Sequence, residues 1–406
     1  MKFLHGLSVI LALYFSVPAQ AFPINQPLGG KTISNVSNHA YSTVVSPFSS
    51  LAVISGNQGA DLVDYEKGEL ITRLDITGAA NSAIFVKQGD TEILYVMAFT
   101  NFPGYDITNG VYGFILKDGK PIKRLDYNPG TGMKGSVFPV TSFSLSATEK
   151  GDYVYFVSLE TTKADDQYSN GKRWLNRISV NPDKMDVTAI PMPDWYGWPG
   201  YGGDDGVAVT PDGSSAWLPH SLVTYKVVDP SSDTPKVSKL KTDGGDGALT
   251  SNDGKLFAFD YGDVYSYGLD NLKKATVFNQ SGDQESFIEN AQLYDNGQKL
   301  LITLQDISAV SRPAPLQFYL DYRKHEKRKA ETFFLPNKVL SIDLKTGHQS
   351  TLYRHFPFTS GYPTSAAVSH DGQYLLVTVW HEKENEYTDL HIYSLKEYLK
   401  QPNGVL

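Results

Sequence analysis

The chain contains no cysteine. Disulfides, thiolate metal centres, c-type haem attachment and a cysteine nucleophile are therefore excluded, and the fold must be held by its core. Long apolar runs are scarce as well. The run at 7–17 is too short to cross a hydrocarbon layer of about 30 Å, and no later stretch is longer. An excess of positive charge is also missing. The net charge of -8 argues against a general nucleic-acid binder, because phosphate binding needs a cationic surface. The sequence has no Gly-x-Ser-x-Gly nucleophile elbow, no His-Glu-x-x-His zinc motif and no phosphate-binding loop leading into a helix.

What is present begins with a secretory leader. Lys2 supplies the positive start, 7–17 the apolar segment, and Ala19-Gln20-Ala21 a small-residue cleavage site. The expectation is a signal peptide at 1–21 and a single exported domain at 22–406, periplasmic or secreted, with no transmembrane segment after cleavage. A secreted chain without disulfides suits a bacterial periplasm better than a small extracellular module. With 35 glycines, 22 prolines and 12% aromatics, the domain reads as many turns between packed strands.

One pattern recurs. VAVTPDGSSAWL (207–218), GALTSNDGKLFAF (247–259), AQLYDNGQKLLIT (291–303) and AAVSHDGQYLLVT (366–378) each read as a strand, an Asp-Gly or Asn-Gly turn and a second strand. Around the first of these, four short antiparallel strands fit between 205 and 240, which is one blade of a propeller. Further blades start near Ala40, Asn81, Thr141, Asp246, Glu289 and Thr364. The expected fold is therefore all-β: a seven-bladed β-propeller of four-stranded antiparallel blades, with six or eight blades as the alternatives. The last blade lacks an outer strand, and 31–36 can supply it, closing the ring and covering an edge. These strand–turn–strand repeats resemble the YVTN and WD40-like propellers of exported bacterial proteins, including the quinoprotein-dehydrogenase-like and TolB-like groups. That resemblance implies the fold and no particular activity.

Within such a blade, strands named A to D from the axis outward alternate in direction. The A–B turns then share one face, and the B–C and D–A connections share the other. All the long segments, 100–109, 126–137, 160–172, 192–204, 306–337 and 381–388, fall at B–C or D–A positions. That face is expected to carry function. The longest of them, near 306–337, is expected to be partly helical, with a basic run from Arg323 to Lys329 that reads as a solvated helix face.

Three groups of candidates lie there. Asn81, Thr141, Asp205, Asp246, Glu289, Asn290 and Thr364 stand where A strands enter the central channel. Converging carboxylates and amides hold Ca²⁺ through oxygen, or they cap strand ends and bind channel water. The group is similar to the metal site of gluconolactonase-like propellers, which implies a Ca-like ion at Asp205, Asp246, Glu289 and Asn81, although that family's Glu-Gly-Pro start is missing here. Glu160, His220, Asp260, Asp306 and His381 end B strands. His220 and His381 are the candidate catalytic acid–base groups, with a strand-end structural role as the alternative. Trp195, Tyr196, Trp198 and Tyr201 crowd one D–A connection, spaced by glycine and proline, and are the candidate ligand-binding residues; a plug between blades is the alternative. The leading expectation is an exported binding scaffold that recognises a protein, glycan or small ligand. The competing one is a metal-dependent lactonase- or esterase-type hydrolase, and the superfamily resemblance adds a weaker quinoprotein-like oxidoreductase reading.

Overall fold

The computed structural model describes residues 30–99, 110–127, 145–147, 151–160, 172–184, 186–192, 206–220, 223–241, 247–250, 254–260, 263–269, 273–279, 286–306, 338–354, 362–381 and 387–398. The expected leader at 1–21 and the expected helical insertion at 307–337 lie outside them.

Seven four-stranded antiparallel sheets form the blades of a β-propeller. Strand β1 (Lys31–Val36) precedes the first complete blade. Blade 1 is β2 (Ala40–Val45), β3 (Leu51–Gly56), β4 (Gly59–Asp64) and β5 (Glu69–Arg73). Blade 2 is β6 (Ala79–Gln88), β7 (Thr91–Phe99), β8 (Gly110–Lys117) and β9 (Lys120–Tyr127). Blade 3 is β10 (Ser146–Ala147), β11 (Tyr153–Glu160), β12 (Lys172–Ser179) and β13 (Val187–Pro191). Blade 4 is β14 (Ala208–Val209), β15 (Ser215–His220), β16 (Val223–Val228) and β17 (Lys236–Lys241). Blade 5 is β18 (Gly247–Thr250), β19 (Lys255–Asp260), β20 (Asp263–Gly268) and β21 (Lys274–Asn279). Blade 6 is β22 (Ser286–Tyr294), β23 (Lys299–Asp306), β24 (Lys338–Asp343) and β25 (Gln349–Arg354). Blade 7 is β26 (Tyr362–Val368), β27 (Tyr374–His381) and β28 (Tyr387–Ser394), completed by β1 as its outer strand.

Burial explains the strand composition. In blade 1 the two middle strands, LAVISG and GADLVD, are buried at every position because a blade is covered on both faces by its neighbours. The outer strand ELITR is mostly exposed. The core is divided among the interfaces between blades. One cluster joins blades 1 and 2 through Val53, Leu62, Phe85 and Leu94. Another joins blades 3 and 4 through Val157, Leu175, Val209 and Leu218. Burying a side chain of this kind contributes about 1.5–3 kcal/mol relative to leaving it exposed.

The tight turns follow their sequence signatures. At 210–215 the Thr210 amide donates to Ser215 O, the Gly213 amide donates to Thr210 O, and Gly213 adopts φ 72°. Glycine takes that left-handed conformation without a Cβ clash. Gly151 is more constrained. It has φ +67°, and a Cβ there would sit 2.9 Å from the Lys87 carbonyl oxygen of the preceding blade.

The ring closes through β1. Lys31, Thr32 and Ile33 pair with Ile392, His391 and Leu390, and Val36 pairs with Thr388 after an irregularity. Ile33 and Val36 pack with Ala52, Ile54 and Val63 of blade 1 and with Leu376, Leu390 and Ile392 of blade 7. Strand β28 ends at Ser394, and Leu395 opens one turn of helix, α1 (Leu395–Tyr398). The reason is local: the Leu395 amide donates to Gln373 O at 2.7 Å and its side chain joins the core between blades 6 and 7, which turns the chain off the sheet.

The strand order fixes the two ends of the wheel. On the A–B and C–D side the longest links between strands are 180–186 and 229–235. On the B–C and D–A side stand 100–109, 128–145, 161–171, 192–207 and 307–337. Glu160, at the end of β11, and Lys338, at the start of β24, open onto the same end.

Candidate functional site

The inner strands carry a shared irregularity near the long-connection end. Register slips by one residue between Ala40 and Ser42, Ala80 and Ser82, Ile288 and Asn290, and Pro363 and Ser365. The extra residues are Tyr41, Asn81, Glu289 and Thr364. Bulges of this kind bend a strand and re-aim one side chain, and they concentrate at the rims of barrels. Three of the four are residues that the sequence places at the channel entrance. Their side chains differ in what they do. The Thr364 hydroxyl is buried 3.1 Å from that of Thr378 on the next strand, so it ties A to B. The Tyr41 hydroxyl donates to the Asn57 side chain. Asn81 is buried. Thr141, Asp205 and Asp246, and the aromatic group Trp195, Tyr196, Trp198 and Tyr201, lie outside the described residues. The side chain of Glu289 lies outside them too.

The B-strand ends stand where the sequence puts them: Glu160, His220, Asp260, Asp306 and His381 each close a B strand. His220 belongs to blade 4 and His381 to blade 7, with blades 5 and 6 between them. The side chain of His220 is outside the described residues, whereas that of His381 lies in a defined cluster.

That cluster comes from a hairpin. His381 is paired with Tyr387 across the β27–β28 connection, and Asp389 and His391 follow at intervals of two along β28. Side chains at i and i+2 of a strand share a face, so Asp389, His391 and His381 all face blade 6. One ligand-capable atom from each of the three lies within 4.8 Å of the others. The His381 Nε2 to Asp389 Oδ2 distance is 3.5 Å, and the two side chains are only 14% and 15% exposed. Both ring nitrogens of His381 are shielded from solvent, and neither has a hydrogen-bond partner among the described residues. Its ring stacks on Tyr387 at 4.4 Å between centroids.

The closing strand contributes to the same place. The Asn35 amide donates to Asp389 Oδ1 at 3.3 Å, with Asn35 in the left-handed conformation at φ 58°. The Thr32 hydroxyl stands 3.3 Å from His391 Nδ1. Burial pulls the His391 pKa below its usual value; Asp389 pulls the other way and His381 adds to the depression. Nearby, the His39 amide donates to Thr388 Oγ1 at 2.9 Å and the His39 ring lies 4.6 Å from that of Trp380. Asp389 and His391 are not singled out by reading the sequence. The signal is the alternation in YTDLHIYS (387–394) combined with a short hairpin that returns β28 alongside His381.

No protein-family model matches the chain, and no curated protein matches it. Among solved structures, an oligogalacturonate lyase in complex with manganese is similar, with a TM-score of 0.54 at 11% identity over 90% of this chain and 92% of that one. At that identity the likeness shows the β-propeller fold alone.

Proposed function

We propose that the protein is an exported binding propeller that takes an extended glycan on its long-connection face. The observation that supports this reading is the sorting of connections: the five longest strand links, 100–109, 128–145, 161–171, 192–207 and 307–337, all leave the same end of the wheel, whereas no link on the other end is longer than 180–186 or 229–235. A rigid ring with elaborated loops at one end is a scaffold for recognition. The 192–207 link between β13 and β14 carries Trp195, Tyr196, Trp198 and Tyr201, aromatic rings that bury large area at small entropic cost, as sugar faces require. The similar lyase is named for an oligosaccharide substrate, which favours a glycan over a protein or another small ligand. The expected leader at 1–21 supports binding in the periplasm or outside the cell.

The test is a glycan array followed by calorimetry on the mature protein, with Trp195→Ala and Trp198→Ala as variants. The reading expects a hit whose affinity falls about tenfold or more in each variant, the loss of one stacked ring. Unchanged binding would remove the aromatic link from the account.

A second reading has a separate observation behind it. The bulged Asn81 and Glu289 share the channel rim, and Asp205 and Asp246 follow the same repeat position in sequence. A Ca-like ion there would polarise a carbonyl for lactone or ester hydrolysis, with His220 or His381 moving protons. Turnover of simple lactones that is lost in Asp205→Ala would favour it. A chelated protein with full activity, or no turnover at all, would not.

A further inference from the structure

The cluster on the closing blade has a chemistry of its own, independent of the glycan reading. We infer that His381, Asp389 and His391 form a binding site for one divalent transition ion of the zinc class, which clasps the β27–β28 hairpin where β1 closes the ring. Three features carry this.

The first is spacing. Ligands about 2.0–2.2 Å from a tetrahedral ion stand roughly 3.4 Å from one another. The His381–Asp389 pair is at 3.5 Å, and all three donors lie within 4.8 Å, so small side-chain rotations bring them onto one ion. The second is the donor set. Two imidazoles and one carboxylate suit zinc, cobalt or nickel, whereas Ca²⁺ takes six to eight oxygens, which these residues do not offer. The third is the state of His381. Neither shielded ring nitrogen is hydrogen-bonded among the described residues, and Nε2 has only the 3.5 Å approach of Asp389 Oδ2; a bound ion satisfies the imidazole more fully.

The surroundings match what a metal site needs. Asn35 holds the second oxygen of Asp389, Thr32 holds the ring of His391, and the Tyr387 ring fixes the plane of His381. Partners of this kind orient ligands before the ion arrives. Two of them come from the closing strand, so loading the site and seating β1 stabilise each other. Three protein ligands leave one tetrahedral position for water.

The experiment uses the mature protein stripped with chelator and titrated with Zn²⁺, Co²⁺ or Ca²⁺ by calorimetry, with a thermal melt on each sample. One equivalent of Zn²⁺ is expected to bind, Co²⁺ to give visible d–d bands, and Ca²⁺ to leave the site untouched. At a hundredfold excess over Kd, the Zn²⁺ melt should rise by about 3 °C. His391→Gln should weaken Zn²⁺ by about 100-fold or more. If that variant fails to fold, His381→Gln at the strand end serves instead. Asp75→Ala, a surface carboxylate that is 93% exposed and belongs to no proposed site, should bind Zn²⁺ as the wild type does. Absence of Zn²⁺ binding in the wild type, or wild-type affinity in a folded ligand variant, would overturn the site. Neither result bears on the glycan reading, whose residues fall in the 192–207 link of the sequence.

Discussion

Removing one methyl-rich side chain from the closing strand tests how the wheel is held shut. Ile33 is 6% exposed and packs against both blade 7 and blade 1, although it belongs to an outer strand. Leu70 is also on an outer strand, in β5, but is 43% exposed. If β1 is a true fourth strand, Ile33→Ala costs about 2–4 kcal/mol in transfer and cavity terms, whereas Leu70→Ala costs under about 0.5 kcal/mol. Globular domains unfold with about 2.1 cal/mol/K of entropy per residue, so a chain of this length loses roughly 1–1.5 °C of Tm per kcal/mol. The Ile33 variant should therefore melt about 3–5 °C lower and the Leu70 variant within about 1 °C of the parent. Hydrogen exchange gives a second readout. The β28 amides that face β1 should exchange faster in Ile33→Ala and not in Leu70→Ala. Equal melting points for the two variants would mean that β1 does not close the ring.

Other consequences follow from the same packing. Gly151→Ala must push a Cβ against the Lys87 carbonyl in a left-handed conformation, and should cost about 1–3 kcal/mol by denaturant titration; Gly89→Asn, at φ +57° with open space around it, should cost under about 0.5 kcal/mol. Asp61 is buried and accepts two bonds from Arg73, Nε at 3.0 Å and Nη2 at 3.2 Å, so Arg73→Met should lose about 2–3 kcal/mol and Asp61→Asn in that background should recover part of it. The turn carboxylates give the pH dependence. Burial pushes the Asp64 carboxyl up, but its bonds from Lys67 and Ser50 outweigh this; bonds from Ser214 and Thr210 lower Asp212, and those from Thr346 and Lys345 lower Asp343. A carboxyl lowered from 3.8 on folding stabilises the protein above that value and loses the contribution as pH falls through the folded pKa, so melting points should hold steady down to about pH 4 and decline below it. Mass spectrometry of exported protein should find Phe22 as the first residue; an intact leader would contradict the export reading.

The architecture was readable because it is written locally and repeatedly. Pro211-Asp212-Gly213 and Asp371-Gly372 mark turns that only a few residue types accept, and runs such as LAVISG can be buried on both sides only inside a stack of sheets. The closing strand was legible by subtraction, since blade 7 came up one strand short. The bulges were not legible. Asn81 and Glu289 stood out by residue type and position, but a one-residue slip in pairing leaves no mark on a strand's composition. The His381–Asp389–His391 cluster was half visible. His381 ends a B strand and is a candidate on that ground, whereas Asp389 and His391 occupy ordinary polar positions of an alternating strand. Only the cross-strand register, with His381 opposite Tyr387 and Thr32 opposite His391, brings the three together.

The central claim is that one end of the wheel binds and the other does not. Hydrogen exchange with and without a saturating glycan hit tests it directly. The account predicts protection in the links at 100–109, 161–171 and 192–207, with the tight turns at 46–50, 210–215 and 369–374 unchanged; protection confined to those tight turns would contradict it.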